Sequence, residues 1–546
     1  MDVYDYVIVG AGSAGCVLAN RLSEDPATRV LLIEAGPSDR GIWVRVPLGV
    51  GRILNDERYV WRADTEPEHE LHGNRIYWPS GRLLGGSSSV NGMLFVRGHP
   101  KRYDAWAAAG CPGWSFDEVL PYFKKLEDCH FGDPSLRGTG GPIGITKLVA
   151  DPITDSFLRA CNQAGIASTD DYNDRNAEGA STLQLSTRNG LRCSAAVAYL
   201  RPASRRPNVR VVTEALAMQI TFEGTRASGV EFICAGKTRH AAARREVLLC
   251  AGAIRSPQLL ELSGVGDASI VRALGQRVVR HLPGVGENLQ DHLMPRIAFE
   301  CDLPITVNDI VRDRRRLFAS AIRYFVRRDG LFATPSLTAL AYARTRPALP
   351  YPDVRLQIGL MSGTNRLSTD RDSGLDLHSG FHLGGYFIYP ESRGRLHARS
   401  RDPRDAPRIE PHYLSAERDR EVALAVMKLM RRIADQPALH EHIVREVRPG
   451  DAARTDDELL DYTRRTGQTC WHPTGTCRMG TDAQAVVDPE LRVHGIEGLR
   501  VVDASVIPFS VASNTNVPTL MLAEKAADLI RRPTQAKRRH REREAA

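Results

Sequence analysis

The chain has 546 residues, 42% of them apolar and 25% charged, the balance of a globular protein with more than one domain. No apolar run reaches the eighteen or so residues of a membrane span, and a strand begins too near the start to leave room for a cleavable signal. The expected location is therefore cytoplasmic, with at most peripheral contact at the inner face of a membrane. A net charge of +8 does not imply a nucleic-acid partner, because the segment from Arg531 onward holds seven basic and two acidic residues.

In chain order, the first element is an apolar strand running into three glycines, Asp5-Tyr-Val-Ile-Val-Gly10-Ala-Gly12-Ser13-Ala14-Gly15. A helix over Cys16 to Leu22 and a second strand, Arg29 to Ile33, follow, and that strand ends on Glu34-Ala35. Gly10 permits the tight turn, Gly12 lets backbone approach a pyrophosphate, and Gly15 lets the helix pack on the strand. The helix N-terminus favours the phosphates, and Glu34 is placed to meet an adenosine ribose. The pattern predicts a dinucleotide site without separating FAD from NAD.

Next comes Gly81-Arg82-Leu-Leu-Gly85-Gly86-Ser87-Ser-Ser-Val90-Asn91-Gly92-Met93-Leu94, a loop rich in N–H and O–H donors. It suits a pyrophosphate or a flavin edge, or equally a surface turn. Glu246 to Cys250 reads as another buried strand leading through Ala251 and Gly252 into a helix that stops at Gly264. Leu499 to Asp503 reads as a further strand of the same character. Similar strands so far apart predict a discontinuous cofactor domain with a large insertion at about 300–460. The insertion mixes strands (Phe381 to Tyr389, Gly394 to Ser400) with a helix whose Val422, Val426, Leu429, Met430 and Ile433 share one face. The ten cysteines show no CxxC pair, so no metal site is expected.

Thr469-Cys-Trp471-His472-Pro473 sets a histidine before a proline, which disfavours helix at His472. A lone histidine is more often structural than catalytic. Forty-two residues on, Ser513-Asn514-Thr-Asn516-Val517-Pro518-Thr519 opens the last helix, with Pro518 suited to its first position.

Together these motifs resemble the glucose–methanol–choline (GMC) flavoprotein oxidoreductases, from Tyr4 to about Arg532. Pro283-Gly-Val-Gly-Glu-Asn-Leu-Gln-Asp-His292, Ser392-Arg-Gly-Arg395 and Asp402-Pro403 extend the match. Choline-dehydrogenase-like, sorbose-dehydrogenase-like and hydroxymethylfurfural-oxidase-like bacterial members are the most similar branches. The resemblance implies an α/β chain: a Rossmann-like FAD domain in pieces (1–150, 191–300, 461–532) and a substrate domain on an antiparallel sheet with flanking helices (151–190, 301–460). A disordered basic tail (533–546) follows.

It further implies His472 as catalytic base and Asn514 as its partner in orienting an alcohol whose hydride passes to flavin N5. The cofactor-binding set it implies comprises Gly10, Gly12, Ser13, Ala14, Gly15, Glu34 and Ala35, then Arg82, Gly85, Gly86, Ser87, Asn91, Gly92, Met93 and Leu94. It continues with Ala217, Ala251, Gly252, Trp471, Asp503, Ala504, Asn516, Val517 and Thr519. Trp471 could wall the alcohol site or simply pack. Val90 stands where some choline-oxidising members tether FAD through histidine, which predicts non-covalent FAD. Thr338 stands near where choline-specific members carry an acid, which weakens choline as substrate. The leading expectation is a dehydrogenase passing electrons to a quinone or dye-like carrier. An oxidase using O₂, an FAD-containing lyase and a non-enzymatic FAD-binding protein are the rivals.

Overall fold

The structure, a computed structural model, describes the backbone of residues 2–364 and 374–544, with side chains as far as Arg531. Two sheets organise it. The first runs Val209–Val212, Val30–Ile33, Asp2–Val9, Lys237–Leu249, Arg226–Cys234, Ala215–Glu223 in spatial order. Its first four strands are parallel, and the last two add antiparallel. Val7, Ile8, Leu32 and Leu248 are fully buried, as strands covered on both faces require. Lys237–Leu249 is long enough to serve twice. Its first half pairs with Arg226–Cys234, and Val247 to Leu249 pair in parallel with Leu499–Val501. That pairing returns the chain to the cofactor domain some 250 residues later.

The second sheet is antiparallel throughout: Ile443–Arg448, Arg296–Cys301, Gly380–Phe387, Val354–Gly359, Leu337–Ala343, Gly179–Thr182. The helix Glu417–Ala434 buries Val422, Val426, Leu429, Met430 and Ile433 against its Leu356, Phe381 and Leu383, with the Pro152–Gln163 helix in the same core.

Four local expectations need correction. Arg296–Cys301 belongs to the second sheet, although residues to 300 read as cofactor domain; a six-residue strand carries no signal of which sheet it joins. Only Arg395–His397 of the 394–400 segment is strand, and it forms a separate ribbon with Arg408–Glu410. The last helix begins at Asn516, so Pro518 is its third residue rather than its first, a position whose N–H needs no partner within the helix. That helix also continues through Glu544, where a disordered tail was expected; lysine, arginine, glutamate and alanine are good helix formers. Among the described residues no helix is long and apolar enough to cross a membrane.

Candidate active site

A cavity of about 590 Å³ lies between the two sheets. At one end it is built from backbone. Gly10 has φ +98°, and a Cβ there would stand 2.5 Å from the Cys250 carbonyl oxygen. A Cβ on Gly15 would stand 1.9 Å from the Gly10 carbonyl oxygen, so the Ser13–Leu22 helix can sit on its strand only with glycine there. Gly12 is different. A Cβ would meet nothing closer than 3.7 Å of protein, and the residue faces the cavity. Among the described residues no packing demand accounts for that glycine, whereas close approach of a pyrophosphate does.

Three helices, starting at Ser13, Gly252 and Asn516, point their N-termini at the cavity. Ser13 Oγ donates to Asn516 Oδ1 at 2.7 Å, tying two of them together. Their partial positive charge favours an anionic group between them. Glu34 lines this end and already accepts N–H bonds from Ala11 and Gly36, both 2.9 Å. Burial pushes its carboxyl up to about 7 against the pull of those N–H groups. Each oxygen keeps a second lone pair for a ribose hydroxyl. Asp503 is likewise occupied, by Ser256 Oγ (2.6 Å) and the Gly252 and Ser505 N–H groups. The glycine cradle, the helix termini and the ribose acceptor fit FAD.

At the other end side chains take over. His472, 7% exposed, follows Trp471 at φ 60° in a loop held by Asp291. Asp291 Oδ1 accepts the His472 N–H at 2.7 Å while its Oδ2 accepts from Thr469 Oγ1 at 2.5 Å and from the Tyr413 hydroxyl. Arg355, on the second sheet, reaches Asn514 Oδ1 and the Tyr386 hydroxyl (2.7 Å).

This arginine sets the direction of a hydrogen-bond chain. A guanidinium only donates, so Asn514 turns its oxygen to Arg355 and its Nδ2 to His472 Nε2, 2.8 Å away. His472 Nε2 therefore accepts, and the ring is neutral with its proton on Nδ1. That nitrogen lies 3.0 Å from His292 Nδ1, which must accept in turn. The His292 proton is then on Nε2, facing Ser510 Oγ at 3.0 Å and the Ile388 carbonyl at 3.4 Å. Burial, then His292, then the Arg355 cation hold His472 well below the usual histidine pKa. Burial puts His292 at about 3. The arrangement presents an unprotonated ring nitrogen beside an amide N–H donor, in a pocket free of ionised imidazole. That is the equipment for taking a proton from a hydroxyl group.

Arg355 is itself buried, and no described carboxylate forms an ion pair with it. Among the described residues its Nε has no hydrogen-bond partner.

Most residues expected at the site line this one cavity, His472 and Asn514 included. Four do not. Gly15 serves the helix–strand packing described above. Arg82 stacks over the Trp61 ring at 4.7 Å. Gly85 makes a turn at φ +88° and donates to the Ala11 carbonyl. Val517 is fully buried in the core, because on a helix its neighbours Asn516 and Thr519 face the cavity and it turns away. Trp471 does both things open to it: it lines the cavity and packs on the Val44, Leu54 and Leu83 cluster. Thr338 is not at the site; its hydroxyl meets Thr154 Oγ1 at 2.6 Å.

Asp291, His292, Arg355 and Tyr386 were given no role by sequence. The first two stand inside a quoted motif. Arg355 and Gln357 left a signal: two polar residues at i and i+2 in an otherwise apolar buried strand, hence on one face.

The fold and the site define a flavoprotein oxidoreductase with a split nucleotide-binding domain and an antiparallel substrate domain. The GMC oxidoreductase family is matched over residues 4–294 and again over 390–523, and the chain belongs to it, as an enzyme acting on CH–OH donors. It is 42% identical over 542 residues to the mitochondrial choline dehydrogenase of Homo sapiens, covering 97% of this chain and 90% of the relative. It is 39% identical over 544 residues to the alcohol dehydrogenase [acceptor] of Pseudomonas putida, covering 97% and 96%. Among solved structures, pyridoxine 4-oxidase from Mesorbium loti superposes with a TM-score of 0.87 at 31% identity, over 96% of this chain and 98% of that one.

Proposed function

We propose that the protein oxidises a primary or secondary alcohol to the aldehyde or ketone. The hydroxyl takes the place of the Asn514 N–H at His472 Nε2, which receives its proton, and Asn514 Nδ2 turns to hold the alcohol oxygen. The observation that carries this is the neutral His472, its free-base nitrogen set by the Arg355–Asn514 pair, in the same cavity as the dinucleotide cradle. FAD, when bound there, supplies the hydride acceptor. Gly12, Ser13, Glu34, Gly86, Ala217 and Asp503 would hold it, non-covalently, since Val90 offers no nucleophile where tethering relatives place histidine.

The substrate is neutral or anionic rather than cationic. The alcohol end holds Arg355 and, among the described lining residues, no carboxylate, and Met294, Leu337, Met361 and Tyr386 give it apolar walls. Choline would bring a second cation beside a buried one. The acceptor is a quinone or similar carrier; the Pseudomonas putida relative, an alcohol dehydrogenase [acceptor], is named for passing its electrons to an acceptor that the name leaves open. The likeness to an oxidase keeps O₂ as the second reading.

The test is anaerobic mixing of the flavin-loaded protein with choline, sorbose, benzyl and furfuryl alcohols and medium-chain alkanols, followed by air. Neutral alcohols should bleach the flavin, choline should not, and colour should return slowly in air but fast with a quinone. Fast return in air makes it an oxidase. A flavin that no alcohol bleaches refutes the reading.

A further inference from the structure

The helix Arg314–Arg327 is apolar on two sides. Inward, Tyr324 is fully buried and Leu317 and Ala321 pack with it on Val46 and Phe332. Outward, Phe318, Ile322, Phe325 and Val326 are 69%, 48%, 53% and 75% exposed. Their spacing, i, i+4, i+7 and i+8, gathers them on one face. Four large apolar side chains on one exposed stripe are not the scattered single exposures every protein surface has.

The charge around the stripe is mostly positive. Between Arg312 and Asp329 there are seven arginines against two aspartates. Arg314, Arg315, Arg316, Arg323 and Arg327 are all exposed, and only Arg316 and Arg323 form ion pairs with those aspartates, at 3.6 and 2.7 Å. An apolar face bordered by long cationic side chains is the make-up of a helix lying in a lipid headgroup layer, where the arginine stems follow the apolar surface and the heads reach phosphates. Trp43, 38% exposed, belongs to the neighbouring Ile42–Arg45 helix, whose Val46 end packs on Tyr324; tryptophan favours that same boundary.

The helix that carries the stripe borders the active-site cavity through its inward Leu317. Trp43, Val307, Ile310, Val311 and Phe332 line the same cavity, and Ile310 and Phe332 pack with Leu317 in the cluster under the helix.

We propose that the outward face of the Arg314–Arg327 helix is a docking surface for an anionic lipid bilayer, which it enters in the plane of the headgroups. Docked so, the protein sets the edge of its cavity against the phase in which lipophilic quinones and long-chain alcohols dissolve. The docking itself is independent of which alcohol or acceptor the site uses.

The experiment is co-sedimentation of the flavin-loaded, full-length protein with vesicles of phosphatidylglycerol and phosphatidylcholine, or of phosphatidylcholine alone, at low and high salt. Wild type should pellet with the anionic vesicles, at least tenfold less with the neutral ones, and less at high salt. The triple variant Phe318→Ser/Ile322→Ser/Phe325→Ser should lose binding tenfold or more while keeping its flavin and its bleaching by a water-soluble alcohol. A second variant, Arg314→Gln/Arg315→Gln/Arg327→Gln, should lose the preference for anionic lipid with no change in fold. Wild type that stays in solution with anionic vesicles overturns the proposal, as does undiminished binding by the triple variant. So does a wild-type dimer that the triple variant splits without any vesicle binding, which would make the face a subunit interface.

Discussion

The two ends of the cavity are built by different means. At the nucleotide end the chain offers backbone: glycines that admit close approach, N–H groups at helix starts, and carboxylates already anchored by N–H bonds. At the alcohol end it offers side chains from distant segments, His472, Asn514, His292 and Arg355, joined in one directed hydrogen-bond chain. A backbone cradle depends on local conformation and tolerates no added atom. A side-chain relay depends on each partner's donor or acceptor character, and fails by degrees.

That contrast can be broken most severely at Gly15. Gly15→Val puts a branched side chain where even a Cβ lies 1.9 Å from a carbonyl oxygen. Purified protein should carry no flavin, or be insoluble, by absorbance ratio; a soluble, yellow variant would contradict the cradle. His472→Ala acts at the other end only. Flavin content should match wild type while the anaerobic bleaching rate falls about 10²–10⁴-fold, the range for losing a general base.

Arg355→Leu is smaller and tests the relay. Freeing Asn514 to flip removes a hydrogen bond to a charged group, worth about 1.5–3 kcal/mol, so the bleaching rate should drop roughly ten- to a hundredfold. The pH profile carries the sharper sign. The Arg355 cation helps depress His472, so without it the His472 pKa rises and the acid limb of the rate profile moves to higher pH. An unmoved limb would leave Arg355 with a packing role alone.

His292→Gln should have the least effect, and it is read in stability. His292 titrates at about 3 in the fold against about 6.5 unfolded, so below pH 6.5 the unfolded chain binds more protons. Its contribution is present in full above that pH and lost as pH falls towards 3, by about 1.4 kcal/mol per unit. Urea midpoints of the variant should therefore fall less steeply than wild type between pH 6.5 and 4.

The nucleotide end was legible in advance because its requirements are local. Strand, glycine turn, helix and terminal acid follow within thirty residues, and Gly10, Gly12 and Glu34 stand where that order places them. Proximity within a motif does not fix the direction of a side chain. Val517 sits between two cavity-lining residues and points to the core, and Arg82 shares a loop with Ser87 yet stacks on Trp61. The tail shows the same limit: its charge suggested disorder, while helix propensity carried the last helix on.

By itself the sequence determined the family, because short motifs recur in a fixed order. That resemblance supplied the candidate pair His472 and Asn514, and similar apolar strands far apart in the chain pointed to the split cofactor domain. Only the tertiary structure brought Arg355 to Asn514, across 159 residues, and His292 to His472, across 180. Neither contact has a local signature, because each depends on how segments far apart in the chain are brought together. With it came the proton's place on the histidine ring, which depends on what each neighbour can donate. The exposed face of the Arg314–Arg327 helix was decided the same way: an apolar residue reads alike whether buried or bare, and packing alone tells which it is.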